Sequence, residues 1–497
     1  MKHMVKTMLL LAGTVTVAAN AQIARFQHII VVVQENRTPD NLFQGLCIPP
    51  FGMLPNSCST TPNALQYNIQ TPSEGWLDKG RRITPETVSL APNGTTHNGQ
   101  YDLHHDHNGF VQMCDASGGV CKMDGANYPG ACRQSKGVYC PPNAPMRYVD
   151  NSTHILDPYL QLASQYGWAN YMFQTNQGPS FPAHQFLFTG TSAPTKEEDH
   201  AGVFAAENMS GSGVSGTHAL AGCTAPDGPA PKPQTRVMLI DRDGNENTLA
   251  PQYPCFEHDT MSDKLPASVS WRYYAPNASS IWTAPNAIKH ICMSTGPGGH
   301  CTGKEWIDNV DLTSSDVLRD INNCNLRAVS WVIPTGWNSD HANDNDGGGP
   351  SWVAAIINGI GHASSCDNNT GYWNNTAIFI TWDDWGGWYD HEPPTILGTP
   401  QGGYQYGFRV PLLVLSAYTR HLIDNQRHDF GSILRFIEQN FGVKEGVLTF
   451  SDERAQTDLT EFFDLRQKPR PFVQITAPKS ASFFLKDKRP ATDPDDQ

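Results

Sequence analysis

Two runs of consecutive apolar residues interrupt a chain otherwise rich in turns: His28 to Val33 (His-Ile-Ile-Val-Val-Val) and Ala377 to Ile380 (Ala-Ile-Phe-Ile). Each is too short for a helix and lacks the alternation of a half-exposed strand, so both predict strands buried on two faces of a parallel sheet. Each run also gives way to polar side chains, the first to Gln34, Glu35, Asn36 and Arg37 and the second, after Thr381 and Trp382, to Asp383 and Asp384. Further strands are predicted at Arg236 to Ile240, Val269 to Tyr274, Ala328 to Ile333 and Val410 to Leu415. Helical periodicity appears at Asp157 to Ala163, with Pro158 suited to a first turn, and also at His184 to Thr189, Ser351 to Ile360 and Gly431 to Asn440. Strands interleaved with helices predict an α/β fold, a mainly parallel central sheet with flanking helices. Residues 44 to 150 and 191 to 236 read as loops, and from Lys468 the polar, Pro-rich chain reads as a loose tail.

Composition narrows the class. The 497 residues show no charge run or low-complexity linker that would divide them, and 12 Trp supply bulk for one core with insertions. A net charge of -14 argues against nucleic acid as a partner and against a simple electrostatic dock on anionic lipid. Lys2 and Lys6, the apolar stretch from Met8 to Ala19, and Ala19-Asn20-Ala21 form the pattern of a secretory signal peptide. No other segment approaches the roughly 20 apolar residues of a spanning helix, so the mature chain is expected to be periplasmic or secreted, without a transmembrane segment. The expected organisation is therefore a signal peptide over 1–21, a catalytic domain over 22–467 and a polar tail over 468–497. The 12 Cys of an exported chain predict complete pairing. Short spacing suggests Cys47 with Cys58, Cys114 with Cys121, Cys132 with Cys140 and Cys292 with Cys301, leaving Cys223, Cys255, Cys324 and Cys366 unassigned.

The chemistry concentrates where the two apolar runs end. Adjacent carboxylates such as Asp383 and Asp384 repel, and burying them is costly unless a cation or hydrogen bonds neutralise them. Taken alone, an Asp-Asp pair before Gly386-Gly387 is more often a solvated turn. A second buried strand delivering Glu35 and Asn36 tips the reading towards a shared cage of oxygen donors. Such a set favours a hard divalent ion, calcium, magnesium or manganese, with zinc or iron left open.

In order along the chain, Gln34 to Phe43, Asp102-Leu103-His104-His105, Gly178-Pro179-Ser180-Phe181-Pro182, Ser339-Asp340-His341 and Thr381 to His391 resemble the blocks of the bacterial phospholipase C and acid phosphatase phosphoesterase family. Plant non-specific phospholipases C belong to it as well. The resemblance runs from about Phe26 to about Leu465, and the ordered set is far more specific than any one block. It implies an alkaline-phosphatase-like core, beside which the Pro-, Gly-, Asn- and Cys-rich residues 44 to 150 read on composition alone as long disulfide-held loops. It also implies a metal site formed by Glu35, Asn36, Ser180, Asp383 and Asp384, with Ser180 as nucleophile. His105 and His341 would bind phosphate oxygens and move a proton to the leaving group. For an arbitrary Ser before a helix the competing role is an N-cap.

The implied activity is that of an exported metal-dependent phosphoesterase, acid phosphatase slightly ahead of phospholipase C because no lipid-binding segment is evident. Its partner would be a phosphate ester or a phospholipid, with transient contact at a membrane surface in the second case. A disulfide-stabilised ion-binding surface protein is the rival; it would have no need of Ser180, His105 and His341. His104 and His107 are read as structural or surface residues. The family commonly has Asn after the Pro of the nucleophile block, where this chain has Ala183, so the contact of that Asn is missing or replaced; His184 is read as a residue of the helix surface, with substitution for that Asn as the alternative. His290 is a further candidate phosphate-site histidine, and Asp390 and His391 are candidate supports for the strand end. Asp241 to Asn245 lacks the glycine position and closing Glu of an EF-hand loop, and Asp344 to Gly347 reads as a turn.

Overall fold

The computed structural model describes residues 23, 25–52, 56–91, 101–132, 139–208, 220–227, 235–246, 248–342, 345–397 and 404–492. The segment read as a signal peptide lies outside the described residues. Eight strands form the central sheet: β1 (His28–Gln34), β2 (Gly167–Met172), β3 (Trp271–Tyr274), β4 (Val310–Asp311), β5 (Val329–Val332), β6 (Thr376–Trp382), β7 (Leu412–Leu415) and β8 (Leu422–His428). Their order across the sheet is β4-β3-β5-β1-β6-β7-β2-β8. β1 lies between β5 and β6 and runs parallel to both, with Val31 opposite Trp331 on one side and Phe379 on the other. Only β7 is reversed, pairing antiparallel with β6 and β2.

Both faces of the sheet are covered, which is why β1 and β6 read as unbroken apolar runs. On one face α3 (Ser180–Thr189) and α5 (Phe430–Phe441) pack their aromatics on the strands, Phe188 against Trp331 at 5.1 Å and Phe436 against Phe379 at 4.9 Å between ring centroids. On the other face α2 (Asp157–Gln165) sets Tyr159 edge-on to Trp382 at 5.1 Å, and α4 (Gly349–His362) packs on α2. α1 (His107–Cys114) sits in the loop-rich region after β1, and α6 (Ala481–Lys486) closes the described chain.

The expected mainly parallel sheet with flanking helices is what the chain forms, with local differences. Val237–Ile240 is a strand, but it pairs with Phe204–Asn208 in a separate antiparallel ribbon rather than in the central sheet. β2 was not anticipated, because Gly167, Asn170 and Tyr171 break its apolar pattern. β8 was missed for the opposite reason: it is an edge strand whose Asn425, Gln426 and Arg427 face solvent. The stretch from Lys468, expected to be loose, is docked on α4. There Ile475 exchanges two 2.8 Å hydrogen bonds with the Asn358 side chain, Phe472 packs on His362, and Phe484 meets Trp352. Phe472, Ile475 and Phe484 lie in short apolar groups without helical or alternating periodicity, yet they suffice to anchor the segment.

All twelve cysteines pair. The four short-range pairs are those suggested by spacing, and the remaining four form Cys223–Cys255 and Cys324–Cys366.

A buried charge cluster ties the loops beyond β1 and β6 together. The Arg409 guanidinium makes a bidentate pair with Asp390 at 2.9 Å for both bonds and reaches the Asn68 and Asn170 carbonyls. Asp40 accepts from His391 Nδ1 at 2.7 Å, and its other oxygen lies 3.8 Å from Arg409. Asp390 and His391 are thus bound into the loop frame through Arg409 and Asp40. Removing one partner of a fully buried pair strands the others without compensation. Arg409→Met is expected to lower the unfolding free energy by about 3–5 kcal/mol, read from urea denaturation. A loss below about 1 kcal/mol would show that the cluster is not a structural tie.

Candidate active site and cation cage

Four strands of the sheet deliver chemistry at their C-terminal ends, where a parallel α/β sheet leaves a crevice. Gln34 of β1 is paired with Trp382 of β6, so Glu35 and Asp383 leave the sheet side by side. The segment after β2 leads to Ser180, the first residue of α3, and the segment after β5 carries Ser339, Asp340 and His341. Glu35, Asn36, His105, Ser180, Asp340, His341, Asp383 and Asp384 are all buried.

Local sequence explains the close fit of these loops. Asn36 takes a left-handed conformation, φ 63°, which Asn tolerates better than most side chains and which turns the chain sharply off the strand. Gly386, φ 61°, passes so close to Asn36 that an added Cβ would lie 2.4 Å from its carbonyl oxygen. At Gly387 a Cβ would lie 2.4 Å from that of Leu103, which brings the His105 loop down onto the strand end. The loop before Ser180 is held by its own amides, Gln174 donating to the Asn176 and Gly178 carbonyls and Asn176 to Gly178 at 2.6 Å. His107 braces the same loop through the Gln177 and Gly244 carbonyls, the structural role expected of it.

Ser180 does not cap its helix. Pro179 occupies the N-cap position, and the Ser180 hydroxyl points to Glu35 Oε2 and Asp384 Oδ2, both at 3.4 Å. Those contacts are long for a hydroxyl donating to a carboxylate, normally about 2.5–2.7 Å. They match instead the roughly 3.0–3.5 Å that separates donors gathered around one divalent ion.

The Asn36 amide tests the same point independently. One end of it lies 3.2 Å from Asp383 Oδ1 and 3.3 Å from Glu35 Oε2, and the other lies 2.9 Å from His105 Nε2 and 3.3 Å from His341 Nε2. With no cation, hydrogen bonding would favour the amide nitrogen facing the carboxylates. His105 opposes that choice: its Nδ1 is spent on the Leu103 carbonyl at 2.7 Å, so the neutral ring can only accept at Nε2 and needs the Asn36 NH₂ group there. The amide oxygen then joins the oxygens of Glu35 and Asp383, an arrangement that makes sense around a cation. The donor set thus fits a divalent metal.

Asp340 anchors its loop, accepting from Tyr159 Oη at 2.9 Å and Trp382 Nε1 at 3.0 Å, and burial pushes its carboxyl up to about 6. Arg37 donates to the Asp340 carbonyl and lies 4.9 Å over the Trp388 ring. Burial likewise raises the Asp383 carboxyl above the usual range, against the hydrogen bond it receives from the backbone N–H of Asn36.

One expectation is overturned. His184 is not on a helix surface: it is fully buried, with Nε2 3.3 Å from Glu35 Oε1 and 3.8 Å from Asp383 Oδ2, and burial pushes it down to about 3. The overlooked signal is its spacing, four residues after Ser180, which puts both on one side of the helix. His290 lies elsewhere, half-buried between Glu257 and Asp263 and outside this constellation.

The profile described as the Phosphoesterase family matches residues 26–444. Among similar proteins are "Phospholipase C B" of Mycobacterium tuberculosis, 32% identical over 31% of this chain and 33% of its own, and "Non-hemolytic phospholipase C" of Pseudomonas aeruginosa, 24% identical over 94% of this chain and 62% of its own. "Non-specific phospholipase C1" of Arabidopsis thaliana is 24% identical over 27% of each chain. The matched stretch thus spans a third of the mycobacterial relative and under two thirds of the Pseudomonas one. Among solved structures, a protein of the alkaline phosphatase superfamily from Vibrio parahaemolyticus superposes with a TM-score of 0.33 and 11% identity, covering 61% of this chain and 63% of that one.

His290 supplies a pH test of its own. The hydrogen bond to Asp263 raises its pKa from 6.5 to about 9. A proton held more tightly in the folded chain stabilises it fully below pH about 6.5, and the contribution is lost as the pH rises through about 9. After screening, an exposed pair contributes about 0.5–1 kcal/mol. His290→Gln should therefore melt below the wild type at pH 6 and with it at pH 10; an equal gap at both would remove the ion pair as its cause.

Proposed function

The chain belongs to the phosphoesterase family, and on that premise we propose that it hydrolyses phosphate esters with Ser180 as nucleophile. The observation that carries the reading is the Ser180 hydroxyl, buried at the N-terminus of α3 and aimed at two carboxylates instead of at a helix cap. A divalent ion held by Glu35, Asn36, Ser180, Asp383 and Asp384 would lower the pKa of that hydroxyl and neutralise charge on the phosphate.

The remaining work belongs to the chain. Backbone N–H groups and the positive end of α3 favour a phosphate beside Ser180. Ser180 Oγ attacks phosphorus in line as the bond to the leaving oxygen breaks, giving a phosphoseryl residue and an alcohol. His341, whose Nε2 lies farther from the Asn36 amide than that of His105, 3.3 Å against 2.9 Å, is the candidate donor to that alcohol. His105 then orients Asn36 and lines the phosphate site, its ring 5.8 Å from that of His341. Attack by water on the phosphoserine releases phosphate and restores the hydroxyl.

Two substrate classes fit this chemistry, phosphomonoesters and phospholipid diesters. The relatives named as phospholipases C favour the diester. Full cysteine pairing fits an oxidising compartment, the periplasm or the cell exterior. Among the described residues no helix is long and apolar enough to cross a membrane.

A panel of nitrophenyl phosphate, phosphatidylcholine and sphingomyelin, assayed on metal-analysed protein, separates the two classes. Ser180→Ala is expected to reduce turnover by at least about 10³-fold on whichever substrate is cleaved, with little change in melting temperature because no cap is lost. Near-normal turnover in that variant would end the covalent reading.

A further inference from the structure

Beside the oxygens of the cage stands one nitrogen, His184 Nε2. We propose that His184 is a direct ligand of the cation held by Glu35 and Asp383, so that the site selects a nitrogen-tolerant transition ion over calcium or magnesium. The proposal rests on the reading of the cage as a metal site.

The ring's tautomer can be followed bond by bond. Tyr273 Oη donates its single hydrogen to the Trp282 carbonyl at 2.7 Å and accepts from the Ala284 amide at 3.5 Å. The remaining acceptor position of that oxygen faces His184 Nδ1 at 3.4 Å, so the Nδ1 hydrogen belongs there. Nε2 is left with a bare lone pair, and it makes no hydrogen bond within the protein. That lone pair points at Glu35 Oε1, 3.3 Å away, and Asp383 Oδ2, 3.8 Å away, with all three groups buried. Three acceptors converging in a buried space repel one another unless a cation lies among them.

The distances suit that arrangement. Six donors set octahedrally about 2.1 Å from an ion lie about 3.0 Å from their neighbours and about 4.2 Å from the donor opposite, and these three ligand atoms lie within 4.8 Å of one another. The chain Trp282 carbonyl, Tyr273 hydroxyl, His184 ring repeats the way metal-bound histidines are oriented by a partner on the far nitrogen. An imidazole also changes selectivity: carboxylate and carbonyl oxygens suit calcium, magnesium and manganese, whereas imidazole suits zinc, iron, copper and nickel.

The test uses the full-length protein, stripped with a chelator and reloaded with Mn²⁺, Zn²⁺ or Ca²⁺. With Mn²⁺ bound, pulsed electron spin resonance should show coupling to nitrogen that changes when the histidines are labelled with ¹⁵N and vanishes in His184→Gln. Calorimetry should show Zn²⁺ bound at least tenfold more weakly by His184→Gln than by the wild type, with Ca²⁺ affinity changed less than threefold. Tyr273→Phe, which removes the hydroxyl orienting the ring, should weaken Zn²⁺ several-fold while keeping the nitrogen coupling, and it serves if the His184 variant does not fold. Mn²⁺ bound without histidine nitrogen coupling would overturn the ligand role of His184 and leave the oxygen cage standing. Failure of the wild type to bind any of the three ions would overturn the cage itself.

Discussion

The arrangement of this protein turns on one electrostatic constraint: Glu35, Asp383 and Asp384 leave adjacent strands side by side and are buried there. Neighbouring strands stand about 4.8 Å apart, so charges at their ends cannot avoid one another. Like charges in a low-dielectric interior raise each other's pKa unless something positive is shared between them. Much of the surrounding geometry serves that sharing. The left-handed turn at Asn36 returns its side chain to the carboxylates, the glycines at 386 and 387 let two loops close over them, and α3 brings Ser180 and His184 in from the opposite side.

A second acidic cluster a few residues away meets the same problem differently. Asp40 and Asp390 face the Arg409 guanidinium and the His391 ring, so their charge is neutralised permanently by the chain. Such a cluster ties the loops together, with the guanidinium in the place a cation would take. The strand-end cage instead gathers oxygens and one bare nitrogen, with a hydroxyl among them. That difference separates a structural network from a site where an ion and a substrate can meet.

Several of the groups that complete the site lie outside the sheet, and loops need bracing to hold a ring to within tenths of an ångström. The His105 segment is hydrogen-bonded to the chain at Ala131, next to the Cys132–Cys140 bridge, and runs into α1, whose last residue forms Cys114–Cys121. These bridges limit the conformational entropy of a long connection. The same logic makes the docked segment after Lys468 part of the scaffold: it covers α4, which packs on α2 beneath Trp382, the residue before Asp383.

Legibility followed the range of the interactions. Unbroken apolar runs reveal β1 and β6 because burial on both faces is written into consecutive residues, and the oxygen donors directly beyond them are adjacent in sequence. The short disulfides, the serine before a helix and the histidines in family-like blocks are local features as well. β2, β8 and the docked tail were not legible, since their placement rests on a few side chains meeting distant partners. The sequence by itself determined which donors stand at the strand ends and that a buried parallel sheet would carry them there. Only the tertiary structure decided which way the Asn36 amide faces, that Arg409 claims Asp390, and that His184 turns inward. Each of those outcomes depends on a hydrogen bond or ion pair between chain segments far apart in sequence, and no local pattern encodes a partner that folding alone brings within reach.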